Sequence, residues 1–193
     1  MKNLKLVAIV FVLVLGTSCK NDKKENTETK ETEVEEVVKE VSTEKKLMIT
    51  LSPKSDSNAE GAVTFKEKDG IVSMTANITA LSEGEHAIHI HEKADCTSPD
   101  GKSSGGHWNP TAQPHGKWGA ETGYHKGDIG NFKVGEDGQG IVTITTDEWC
   151  IGCGDDTKDI LGKAIIVHQG SDDFTSQPSG AAGSRISCGG IIE

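Results

Sequence analysis

All seven histidines of this 193-residue chain fall between Gly84 and His168, in a stretch rich in glycine and proline. Few folds suit such a stretch, because imidazoles gathered out of water each need a partner for both ring nitrogens. A metal ion is the partner that several imidazoles can share. HAIHIHEKADC contributes His86, His89 and His91, and GGHWNPTAQPHGK contributes His107 and His115. GYHKGDIGN adds His125 and, three residues on, Asp128; AIIVHQGSDD adds His168.

Around these histidines the pattern is that of short strands. Strands are expected over 47–51, 62–66, 71–78, 85–91, 129–134, 140–145, 160–168 and 185–192, with no convincing helical period after residue 47. Lys68-Asp69-Gly70 and Glu136-Asp137-Gly138 read as hairpin turns, with glycine where φ is positive. About eight strands with two long irregular segments, 92–127 and 169–184, predict an all-β, Greek-key flattened barrel or sandwich. Loops of that length are usually functional or tied down, and both adjoin the histidines.

The N-terminus sets the compartment. Lys2 and Lys5 precede an unbroken apolar run, Leu6 to Leu15, and the small residues Gly16, Thr17 and Ser18 lead to Cys19. This is the layout of a secretory signal over 1–18, and the run is shorter than the ~20 residues a bilayer span needs. A cysteine at that point resembles a bacterial lipobox, with Cys19 acylated and the chain held to a membrane by lipid. Residues 19–46, rich in Lys, Glu, Thr and Val without aromatic, Gly or Pro after Cys19, read as a charged disordered tether. Residues 47–193 form one domain, long enough for a core. The net charge of −10 resides there, which argues against nucleic acid and anionic membrane surfaces as partners.

His89 and His91 stand two apart in a strand, so they project from the same face. His86, three residues before His89, points the other way and reads as a packed, hydrogen-bonded supporting residue. His107, His115, His125 and Asp128 offer three imidazoles and a carboxylate, the donor set of a closed tetrahedral zinc site. His168 ends a separate apolar strand where it can meet His89 and His91. With His107 these make four nitrogens, the tetragonal preference of Cu(II). His107 is then counted twice, as an imidazolate joining two ions. Spacing alone does not prove that bridge.

The segments HAIHIHEKADC, GGHWNP, PHGKWG, HKGDIGN, AIIVHQGSDD and QPSGAAGSRISCGGI, in this order, resemble the copper/zinc superoxide dismutases, specifically their exported bacterial branch. The resemblance spans residues 47–193. It implies copper on His89, His91, His107 and His168, zinc on His107, His115, His125 and Asp128, and His86 as a buried non-ligand. It further implies that Asp172 hydrogen-bonds His89 and His115 across the two sites, and that Cys96 and Cys188 form a disulfide. On the chain-entropy account, closing that loop of about ninety residues is worth roughly 4–5 kcal/mol. Arg185, the only arginine, matches the residue that receives superoxide beside copper, together with His107 as the proton-handling ligand. The implied reaction is dismutation of superoxide to dioxygen and hydrogen peroxide.

Two features depart from the familiar pattern. DDFTSQPSGAAG lacks lysine and glutamate, so guiding charge falls to Lys93, Lys102, Lys117 or Lys126 near the other long loop. Cys150-Ile151-Gly152-Cys153 has no counterpart. In an exported chain a local disulfide is the simplest reading, with an extra metal site or free thiols as alternatives. A non-enzymatic copper/zinc-binding lipoprotein, acting as metal store or donor, is the rival function. A redox or adhesion module built on the Cys-x-x-Cys is another. Trp108, Trp118 and Trp149 are core or interface residues, and both monomer and homodimer remain open.

Overall fold

The computed structural model describes residues 44–193; the expected signal, Cys19 and most of the tether lie outside the described residues. Eight strands run in order: β1 (Lys45–Pro53), β2 (Glu60–Lys68), β3 (Ile71–Thr79), β4 (Gly84–His91), β5 (Gly130–Val134), β6 (Gly140–Thr146), β7 (Ala164–His168) and β8 (Arg185–Gly190). All pairings are antiparallel, in the order β5-β4-β7-β8-β1-β2-β3-β6. Two four-stranded halves are joined where Ser52 and Pro53 of β1 meet Cys188 and Ser187 of β8. The result is a nearly closed Greek-key barrel, as the strand pattern predicts.

Alternation explains which face is which. In β3 Val72, Met74, Ala76 and Ile78 turn inward while the intervening residues face outward. They pack with Leu51, Val63 and Phe65 against Ile88, Ile90, Ile165 and Val167 of the other half. β7 is buried throughout, and β4 is buried from His86 onward. Their inner faces fill the core. Their outer faces carry His89, His91, Ile166 and His168 and are covered by loops. Ala164, Ile166 and Cys188 form a second small apolar cluster there, with Cys96 against it.

The structure corrects several expectations. The first strand begins at Lys45 rather than 47, so the barrel takes two residues from the expected tether. Glu136-Asp137-Gly138 does not close a hairpin, since β5 and β6 lie at opposite ends of the strand order. The Gly138 carbonyl instead accepts from the Leu81 amide at 3.1 Å, and Phe132 stands where a side chain on Gly140 would go. The turn thus carries the chain across the barrel's open seam. Asp69-Gly70 does close a hairpin, with both residues at positive φ. The strand expected from 160 begins at Ala164, because residues 160–163 turn on themselves through the Lys163 amide and the Ile160 carbonyl. This lengthens the irregular segment between the sixth and seventh strands, expected over 146–159, to 147–163. Trp108 and Trp149 are core residues and Trp118 packs on that core.

Candidate metal centre

β4 provides the platform. Beyond Ile88 its β5 partner ends, and residues 106–108 and Gly127 take that side instead. The Trp108 amide donates to Ile90 O at 2.8 Å, the Ile90 amide to Gly127 O at 2.9 Å, and the Glu92 amide to Gly106 O at 3.0 Å. His107 is thereby set opposite His91. A Cβ at Gly127 would stand 2.2 Å from Ile90 O, so only glycine permits this approach. His168 is re-aimed by a register shift between Val167 and itself.

These placements make two clusters. Ligand atoms of His89, His91, His107 and His168 lie within 4.8 Å of one another, and so do those of His107, His115, His125 and Asp128. All seven residues are buried. The ring of His107 belongs to both. Its Nδ1 is 2.8 Å from Asp128 Oδ1, while its Nε2 is buried without a hydrogen-bond partner.

Four of the remaining rings are fixed through one nitrogen, His168 by its Nδ1 at 3.4 Å from Gly183 O, while His125 is tied only through its backbone amide. His89 Nε2 meets Asp172 Oδ2 at 2.9 Å, His91 Nδ1 meets Gly105 O at 3.0 Å, and His115 Nε2 meets Asp172 Oδ1 at 2.8 Å. Among the described residues, six buried nitrogens have no hydrogen-bond partner: His89 Nδ1, His91 Nε2, His107 Nε2, His115 Nδ1, His125 Nδ1 and His168 Nε2. The last two on the Asp128 side lie 2.9 Å (His115) and 3.2 Å (His125) from its carboxylate, without hydrogen-bond alignment. Orphaned buried nitrogens are costly unless something else accepts them. Convergent lone pairs held by outer hydrogen bonds are what a metal ligand set needs.

Burial keeps the rings of one cluster neutral. It holds His89 below the usual imidazole range and His91 and His168 well below it, and pushes His107 down to about 4 against the opposing pull of Asp128. Neutral rings carry the lone pairs that bind metal. His115 goes the other way: burial opposes the charge, but Asp128 and Asp172 together raise it to about 9. Burial works against both carboxylates as well, yet the facing imidazoles hold Asp128 and Asp172 well below the usual carboxylate range.

An open cleft of about 550 Å³ leads to the first cluster, lined by His91, His107, His168 and Arg185 among others. Arg185 Nη1 donates to Gly101 O at 3.0 Å and to Ser104 Oγ at 3.1 Å. The loop carrying Gly101 and Ser104 is bonded to β8 by the Cys96–Cys188 disulfide. A second disulfide joins Cys150 and Cys153.

Residues 59–191 match the sequence model of the copper/zinc superoxide dismutase family. The chain belongs to that family. It is 35% identical over 143 residues to the superoxide dismutase-like protein YojM of Bacillus subtilis, covering 71% of each. Among solved structures it is similar to a superoxide dismutase-like protein of the same species, with TM-score 0.67 and 31% identity, covering 75% of this chain and 97% of that one. A double mutant of that protein, with a tyrosine and a proline each changed to histidine, also gives TM-score 0.67, at 34% identity and 76% and 97% coverage.

Within this dismutase-family site the structure also adds residues that sequence reasoning missed. Asn131 clasps Asp172 through two amide hydrogen bonds of 2.8 Å, and Gln177 clasps the His115 backbone through two of 2.9 Å. Gly180 sits so close beneath Asp172 that a Cβ there would meet its Oδ1 at 1.7 Å. The quoted segments HKGDIGN and QPSG contain all three, but nothing local says that they reach across the barrel. His86 lies on the core side of β4, its Nδ1 on His168 O at 2.9 Å and its Nε2 on Ser82 O at 2.9 Å. Of the four candidate guiding lysines only Lys102 lines the cleft, with Glu92 and Asp100 beside it.

Proposed function

We propose that this chain is an exported, lipid-anchored superoxide dismutase that converts two superoxide anions and two protons to dioxygen and hydrogen peroxide. The observation that carries this reading is the shared ring of His107, which belongs to two four-donor clusters beside a cleft holding the sole arginine. The four-nitrogen cluster fits copper, and three nitrogens with a carboxylate fit zinc. Bound there, copper would supply the one-electron couple that oxidises one superoxide and reduces the next, with zinc acting only as a fixed charge on the far side of His107.

The chain's own residues do the rest. Arg185, half-buried and anchored through one guanidinium nitrogen, keeps its other donors for a small anion entering the cleft. His107 lines the cleft with His91 and His168 and alone belongs to both clusters, and its Nε2 is the atom at which a proton is held and handed on. Asp172 fixes the tautomer of one ring in each cluster, since it bonds both His89 and His115. The apolar run before Cys19 supports export and acylation.

Direct spectroscopic measurement of superoxide decay, with the chain loaded with copper and zinc, tests the reading. The expected result is a copper-dependent constant approaching the diffusion ceiling of ~10⁸–10⁹ M⁻¹s⁻¹. Arg185→Ala should lower it roughly 10- to 100-fold, the worth of one charged hydrogen bond of about 1.5–3 kcal/mol, with copper content unchanged. Full metal loading with turnover no faster than free copper overturns the proposal in favour of a metal store or donor. Cys19→Ser should move the protein from membrane to soluble fractions.

A further inference from the structure

The segment 147–163 has no part in the chemistry above, yet it reaches the zinc-type cluster through the two neighbours of one ligand. Glu148 accepts a hydrogen bond from the Tyr124 hydroxyl through Oε1 and pairs with Lys126 Nζ through Oε2. Trp149 Nε1 donates to the Lys126 carbonyl at 2.9 Å. Tyr124 and Lys126 flank His125 on either side. His125 is itself tied inward, its amide donating to Asp128 Oδ2 at 2.8 Å.

The outer side of this arrangement is rigid. Trp149 is 1% exposed and meets Trp118 edge-on at 5.4 Å, and Trp118 lies 5.2 Å from Tyr124. The Glu148 amide donates to Thr146 Oγ1 at 3.0 Å, which registers the pair against the end of β6. The next residue is Cys150, bonded to Cys153. The Cys150 backbone pairs with Lys158 and Ile160, and the Asp159 carboxylate accepts from the amides of Gly152, Gly154 and Leu161. The Ile151 amide donates to Glu67 Oε2 at 2.8 Å, pinning the loop to β2. From a buried indole through a local disulfide to the barrel wall, every link is fixed.

We propose that Glu148 and Trp149 are positioning residues for the zinc-type ligand His125, and that the Cys150–Cys153 disulfide holds the base of this brace. His125 sits on a glycine-flanked turn with no strand of its own to hold it. Tyr124 and Lys126, held from outside, complete the inward tie that keeps it beside His107, His115 and Asp128. The Cys-x-x-Cys thus acts on metal retention through the backbone at Glu148 and Trp149. This inference rests on the zinc assignment of the proposed function.

The test measures zinc content and zinc release to a chelator for the full chain, with the visible spectrum of its cobalt(II)-substituted form. Glu148→Gln keeps size and shape but removes the acceptor charge, and Trp149→Phe keeps an aromatic ring but removes the indole donor. Each should speed zinc release about tenfold, the scale seen when an outer partner of a ligand is lost, and shift the cobalt bands. Cys150→Ser with Cys153→Ser should do so to a smaller extent. Val63→Ala, a core truncation in β2, is the control for mere destabilisation and should leave zinc release and cobalt bands unchanged. Brace variants that retain zinc as the parent does overturn the proposal. Equal zinc loss from Val63→Ala at a matched fall in Tm overturns it too. A parent chain that takes up no zinc at all sinks the dismutase reading, and the brace with it, which the parent's metal content reveals before any variant is compared.

Discussion

The two disulfides among the described residues differ in reach. Cys96 and Cys188 are 92 residues apart in sequence, and their bond ties the long loop after β4 to the last strand. On that loop ride Gly101 and Ser104, which hold Arg185, and Gly105, which holds His91. Cys150 and Cys153 are three apart, and their bond shapes only the loop that carries Glu148 and Trp149 toward His125. A covalent link that joins distant segments constrains the whole unfolded chain, whereas one across a single turn constrains little beyond itself. The first is a global tie with a local consequence in the cleft, and the second is purely local.

The sharpest way to break this contrast is to remove each bond in turn. Cys96→Ser with Cys188→Ser should destabilise the metal-free protein by about 4–5 kcal/mol on the chain-entropy account, and Cys150→Ser with Cys153→Ser by about 2 kcal/mol or less. Denaturant titration reads the difference, with m rising more when the long bridge is removed because the unfolded chain expands. Equal losses would mean that the short bridge supports the fold as much as the long one. The first variant should also lose turnover through Arg185, and the second should lose zinc before it loses turnover.

Asp172 links the two halves, and its effect should come next in size. It is the residue whose carboxylate meets one imidazole from each cluster, His89 through Oδ2 and His115 through Oδ1. In Asp172→Asn one of those imidazole N–H donors must face an amide donor instead of an acceptor. Metal affinity should fall about 10- to 100-fold, read by competition with a chelator for copper and zinc separately. Loss confined to one metal would identify which imidazole the amide oxygen keeps; no loss at either would deny that the clusters are coupled.

What was legible in sequence divides along the same line. Strand parity placed His89 and His91 on one face and His86 on the other, because a period of two is a local property. The ligand set and the Cys96–Cys188 pair followed from resemblance, and the structure brings those residues together. Asn131 on Asp172, Gln177 on His115 and Gly101 on Arg185 were not legible, since each is a side-chain or backbone contact across 41 or more residues. Glu148 and Trp149 were hidden for a further reason: the segment had no counterpart in the familiar pattern, and its glycines and acids read as an ordinary loop. The false hairpin at Glu136-Asp137-Gly138 shows the limit of turn chemistry, which specifies a bend but not the strand that receives it.

The smallest expected effect concerns two lysines, one beside each disulfide-bearing region. Lys102 lines the cleft, its side chain 77% exposed and its Nζ 3.1 Å from Asp100 Oδ2. Lys126 is mostly buried and spent on Glu148. Only Lys102 can present charge to an approaching anion, and Asp100 and Glu92 offset part of it. Lys102→Ala should therefore slow superoxide decay only about two- to threefold at low ionic strength. The difference should vanish near 0.15 M salt, where screening acts within ~8 Å. Asp100→Asn should act in the opposite direction by relieving the offset. Lys126→Ala should leave the salt dependence of the rate as it is, even while zinc leaves faster, because its charge never faces the cleft. A salt slope that changes with Lys126 and not with Lys102 would place the anion's path on the zinc side and dissolve the division of labour between the two regions.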